Sequence, residues 1–140
     1  MANKNLTVIG RRELIHFPNL GLLNIIAKVD TGAYTTVLHC HDIREKNGVL
    51  YFKLLDPNHP EYSNQEKCAN TFYKKEFKNS FGESEKRYVI SSQIQLGNRK
   101  IRSLISLTDR ANMRYPVLIG RRLLKNKFLV NVACLHILQK

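Results

Sequence analysis

Short, β-branched apolar segments, each cut off by Gly, Pro or Asn, constrain this chain more than any other feature. Such segments suit pleated, half-buried strands, and the breakers mark the turns between them. Read this way, strands fall at residues 6–9, 13–17, 22–29, 37–43, 49–55, 86–96, 100–107, 117–119 and 128–132. In the third, Ile25, Ala27 and Val29 share one face, with Ile26 and Lys28 on the other. Gly97-Asn98 between two alternating runs is a hairpin signal. Residues 121–125 suit one or two helical turns, and the polar stretch 58–67 reads as a loop or insertion. Strand after strand predicts an all-β barrel or sandwich, with one short helix near the C-terminus. At 140 residues the chain suits one domain, 1–140.

Lys and Arg number 23 against 11 Asp and Glu, giving a formal charge of +12. That excess draws polyanions: acidic peptides, nucleic acid or an anionic surface. No apolar run approaches the roughly 20 residues of a membrane span, and residues 1–12 lack the pattern of a signal peptide. Three cysteines, Cys40, Cys68 and Cys134, are an odd and sparse set, expected as free thiols in the cytoplasm.

Chemistry concentrates in two segments. In Lys28-Val29-Asp30-Thr31-Gly32-Ala33 an apolar strand runs into an Asp, a hydroxyl residue and a Gly, a pattern that presents a carboxylate from a rigid turn. In Tyr115-Pro116-Val117-Leu118-Ile119-Gly120-Arg121-Arg122-Leu123-Leu124 an apolar triplet is followed by Gly, Arg and a leucine pair. Together, and in this order, they resemble the two hallmark segments of the retropepsins, the retroviral-type aspartic proteases. With Ile9 to Glu13, Lys28 to His39, Arg87 to Ile90, and Leu107 to Arg110 with Met113, the chain is similar to one bacterial family from Val8 to about Val132. That family is named RimK-associated, or ATP-dependent zinc protease, and its fold is retropepsin-like. The name's chemistry is not in the residues: no Gly is followed by Lys as a P-loop requires, and no His by Glu as a zincin helix requires.

The resemblance implies a closed or partly open acid-protease barrel in which Asp30, Thr31 and Gly32 form the catalytic turn. Ala33, His39, Gly120 and Arg121 would support it. Peptide hydrolysis by carboxylates takes two of them around one water. Of the four Asp, only Asp30 precedes a hydroxyl residue and Gly, so a homodimer would be needed to pair two copies. Retroviral enzymes usually place a second Asp after the Ala, paired with the Arg behind the apolar-Gly segment; Tyr34 stands there, so Arg121 is expected to lack that partner. The middle region 78–84 carries one Gly, unlike the Gly-rich retroviral flaps. Association with RimK, an enzyme class that ligates glutamate onto proteins, implies a glutamate-rich substrate tail, with Arg102 and Arg121 as candidate readers of its carboxylates. No cofactor is expected.

Two alternatives arise from other residues. His39 and His41 share a strand face at a spacing that suits zinc, with Asp42, Cys68 or His136 as a third ligand. Phe72 to Phe77 interleaves aromatic and basic residues, as stacking surfaces for single-stranded nucleic acid do. A non-catalytic domain that only binds acidic peptides is the third reading.

Overall fold

In the computed structural model, which describes residues 5–78, 81–110 and 113–138, six strands close into a barrel. Their order is β10 (Val117–Ile119), β3 (Leu22–Val29), β2 (Arg12–Phe17), β8 (Ser84–Leu96), β9 (Arg99–Thr108) and β4 (Thr36–Lys46), and β4 pairs back onto β10. Closure removes the free edges that an open sheet would expose. Beyond Asp42, whose φ is 53°, β4 shifts register between His41 and Arg44 and leads into β5 (Val49–Leu54) and β6 (Glu66–Ala69). Strand β7 (Tyr73–Lys78) folds back along the first half of β8 as a hairpin. Strands β1 (Thr7–Gly10) and β11 (Phe128–Asn131) form a separate parallel ribbon, and α1 (Arg121–Leu124) follows β10.

Alternation drives closure. Ile15, Phe17, Ile25, Ala27, Leu38, Ile94, Leu96 and Ile105 are fully buried and point into the barrel. Each large aliphatic or aromatic side chain among them contributes about 1.5–3 kcal/mol. Gly97 turns β8 into β9 at a φ of 62°, as the Gly97-Asn98 signal anticipates. Glu13 also faces inward and is fully buried. Its carboxylate accepts the N–H groups of Gly10 at 2.6 Å, Ile137 at 3.1 Å and Leu138 at 3.2 Å, so a buried charge fastens the C-terminal segment to the start of the barrel.

Several boundaries differ from the sequence reading. The polar loop ends at Gln65, because Glu66 and Lys67 open β6 against β5. Strand β6 buries little on either face, so it carries no apolar alternation. The second half of β4 extends to Lys46 for the same reason. Among the described residues no helix is long and apolar enough to cross a membrane.

Candidate active site

Asp30 leaves the end of β3 and its N–H donates to the carbonyl of Ile119 at 2.9 Å. Its carboxylate then accepts the N–H of Gly32 at 3.1 Å, and its own carbonyl accepts the N–H of Ala33 at 3.1 Å. These bonds hold a half-buried carboxylate on a tight turn with one oxygen engaged. Strand β10 lies between β3, to which it runs parallel, and β4, to which it runs antiparallel. Beyond it the N–H groups of Arg121 and Arg122 donate to the carbonyls of Ala33 and Tyr34, both at 2.9 Å. Gly120 is buried and nothing larger fits: a Cβ there would lie 2.6 Å from the Tyr34 carbonyl oxygen. Its N–H donates to the Thr36 hydroxyl at 3.1 Å. The two segments singled out in the sequence therefore form one unit.

Arg121 takes part in none of the described ion pairs, and other groups hold it. Its guanidinium donates to the Thr31 carbonyl at 2.7 Å and lies 5.7 Å from the centre of the Tyr34 ring, which also carries Arg122 at 6.0 Å. The aromatic face at Tyr34 takes the place of a carboxylate, attracting the cation through its ring quadrupole.

A cavity of about 620 Å³ opens over Asp30. Val37 and Leu118 line its barrel side, and the β7–β8 hairpin lines the other with Lys75, Phe77 and Arg87. The hairpin therefore stands where a flap would, although Asn79 and Ser80 of the expected flap region lie outside the described residues. The turn end of the hairpin is clamped by Glu85, which accepts from Arg87 at 3.2 Å and from the Thr108 hydroxyl at 3.2 Å and lies 3.6 Å from Arg110. Partial burial opposes ionisation of Glu85, but these bonds and the Arg110 charge outweigh it and hold the carboxyl below its ordinary range.

Not every candidate residue reaches this cavity. His39 is buried; its Nδ1 accepts the N–H of Arg110 at 3.2 Å and its Nε2 lies 3.7 Å from Asp56. It positions the chain at Arg110, whose side chain lines the cavity, without lining it itself. His41 pairs instead with the Tyr62 hydroxyl at 3.0 Å. Among the described residues no three His, Cys, Asp or Glu side chains are grouped as metal ligands. Arg102 bonds the Ser91 hydroxyl on the far half of the β8–β9 hairpin, away from the cavity lining. Cys40 is fully buried, which pushes its thiol far above the ordinary range, with the nearby Asp109 charge adding to the effect.

A second, more apolar groove of about 500 Å³ lies behind the turn, lined by Thr31, Tyr34, Leu124, Phe128 and Val130 among others.

Comparison with known proteins agrees with this geometry. Residues 8–140 match the family model described as RimB-like, the retropepsin-like aspartic endopeptidase RimB. Proteins named "Probable alpha-L-glutamate ligase" from Shewanella pealeana and Shewanella halifaxensis are each 38% identical over 135 residues, which cover 91% of this chain. A protein of the same name from Desulfotalea psychrophila is 30% identical over 131 residues. The match takes up only 28–29% of the length of these relatives. The crystal structure of a protein of unknown function from Legionella pneumophila superposes with a TM-score of 0.70 at 25% identity, covering 95% of this chain and 98% of that one. On the family match across nearly its whole length, the chain belongs to the RimB-like family of retropepsin-like aspartic endopeptidases.

Proposed function

We propose that this chain is an aspartic peptidase that acts as a homodimer and trims glutamate-rich tails from proteins. The observation that carries the reading is the Asp30 carboxylate, held by the Gly32 N–H on a turn braced by Gly120 and Arg121, at the floor of a cavity roofed by a hairpin. Two such turns meeting on a two-fold axis supply the pair of carboxylates that the chemistry needs. One, ionised, takes a proton from a water whose oxygen attacks the peptide carbonyl carbon; the other, protonated, donates to the carbonyl oxygen. Collapse of the tetrahedral intermediate breaks the C–N bond, and the leaving amine takes up the proton. The pair shares one proton because two adjacent carboxylates do not ionise together cheaply. The reading calls on no metal.

The groove beside Thr31 supports the dimer. It is apolar, it adjoins the catalytic turn, and the exposed Leu129 and Val132 lie on or just beyond the same terminal strand. The tail substrate is supported by relatives that carry a domain like this one within proteins named as glutamate ligases. A cytoplasmic site of action accords with three free cysteines.

The test is mass spectrometry of a protein bearing an added glutamate tail, incubated with the wild-type chain or with Asp30→Asn. Shortening by the wild type alone is expected. Equal shortening by both, or loss of wild-type cleavage on adding a chelator, would assign the reaction to other groups.

A further inference from the structure

The Asp30 cavity is poorly furnished, by itself, to grip a polyanion. Among the described residues its lining holds five cations and four carboxylates, so its charge nearly cancels. The basic excess lies beside it. Register across the barrel puts Val37, Leu118, Lys28 and Arg12 in one row on the outer face of four neighbouring strands. The first two are cavity floor; the last two continue the row out of the cavity. At about 4.8 Å per strand, Lys28 and Arg12 stand about 5 and 10 Å beyond Leu118.

Arg12 is fixed there. Its guanidinium donates to the Tyr115 hydroxyl at 2.8 Å and lies 5.6 Å from that ring's centre, and Arg114 lies 5.6 Å from the same centre. Lys28, Arg12 and Arg114 take part in none of the described ion pairs. The chain offers them little to pair with. No Asp or Glu occurs after Asp109, and the only ones before Asp42 are Asp30 and Glu13, the latter buried and bonded to backbone.

From this arrangement we infer that Lys28, Arg12 and Arg114 form a carboxylate-binding subsite, which seats the acidic side chains of a peptide extending from the Asp30 cavity. The inference rests on the substrate reading above and adds the residues that would enforce it. An extended peptide rises about 3.3 Å per residue, so side chains about three residues from the reacting bond reach Arg12. An acidic peptide fits better than nucleic acid, because the row itself carries no aromatic residue and the neighbouring Tyr115 ring is already covered by two cations.

The experiment measures fluorescence anisotropy of labelled hexaglutamate with the Asp30→Asn chain, where Asp30 is neutral and Lys28 cannot act through its charge. Lys28→Glu and Arg114→Glu, both at exposed positions, should each weaken binding about tenfold. Lys46→Glu, an equal charge change on the outlying β4–β5 hairpin, should leave it within about twofold. Circular dichroism checks that each variant is folded. In the otherwise wild-type chain, the Lys28 and Arg114 changes should raise KM for a glutamate-tailed substrate while kcat holds. Binding unchanged by both reversals, absence of hexaglutamate binding in the parent, or tighter and equally Lys28-dependent binding of oligouridylate would overturn the inference. Lys28-dependent binding of hexaglutamate by a wild-type chain that cleaves no tail would uphold the subsite and remove the peptidase reading.

Discussion

Arg121 donates a hydrogen bond of 2.7 Å to the carbonyl oxygen of Thr31, so the residue that follows the apolar-Gly strand holds the turn that presents Asp30. The Tyr34 ring seats the same guanidinium from below. Both side chains are exposed, so their worth to global stability is small, while their effect on the turn is direct.

Arg121→Ala is therefore expected to lower kcat about tenfold or more with a loss of global stability of about 1 kcal/mol or less. Tyr34→Leu removes the cation–π contacts to Arg121 and Arg122, leaves the Thr31 hydrogen bond, and should cost about 0.5–1 kcal/mol of local order. Steady-state kinetics beside a urea unfolding curve separates the two effects. A large fall in unfolding free energy for Arg121→Ala, with kcat intact, would mean that the arginine serves the fold rather than the turn.

Gly120→Ala is expected to destabilise the chain by about 1–3 kcal/mol or to prevent folding. The added carbon would press on backbone, at 2.6 Å from the Tyr34 oxygen and 2.7 Å from the Thr35 carbonyl carbon, and backbone there cannot yield without moving β4. Gly48→Ala meets no atom within 4 Å; its only penalty is a φ of 77°. Denaturant titration of the two variants compares burial against backbone strain, and the Gly120 variant should show the larger loss.

Much of this was legible in the sequence, for physical reasons that differ from place to place. Barrel strands such as β8 and β9 bury one face and expose the other, so alternation and the Gly97-Asn98 turn mark them. Strand β6 sits at a sheet edge and buries little, so it leaves no pattern. The Asp30 turn and the Gly120 segment were recognisable because each needs particular residue types at fixed spacing. The contact of Arg121 with Tyr34 leaves no such mark, since an acidic residue at a fixed position signals an ion pair and the partner here is a ring. The Arg12–Tyr115 bond joins residues 103 apart, and only barrel register brings them beside Lys28. Composition showed the excess of positive charge but not where the acids are missing in space.

The Glu85 clamp predicts an acid limit for the hairpin. Its carboxyl is held below the ordinary range, so its contribution is fully present above the unfolded value of about 4.3 and is lost as pH falls through the lower folded value. Hydrogen exchange in β7 should accelerate over that acid window in the wild type. In Glu85→Gln, exchange should be faster at neutral pH and lose that acid step. An acid step of the same size in both chains would assign it to other carboxylates.

The most direct test of the central claim is a mixing experiment. Wild-type and Asp30→Asn chains are combined at constant total concentration, allowed to exchange, and assayed on a glutamate-tailed substrate. If each site takes one Asp30 from each of two copies, activity follows the square of the wild-type fraction, falling to about one quarter in an equal mixture. Activity that falls in simple proportion, to about one half, would show that a single chain carries the whole site and would contradict the paired-carboxylate account.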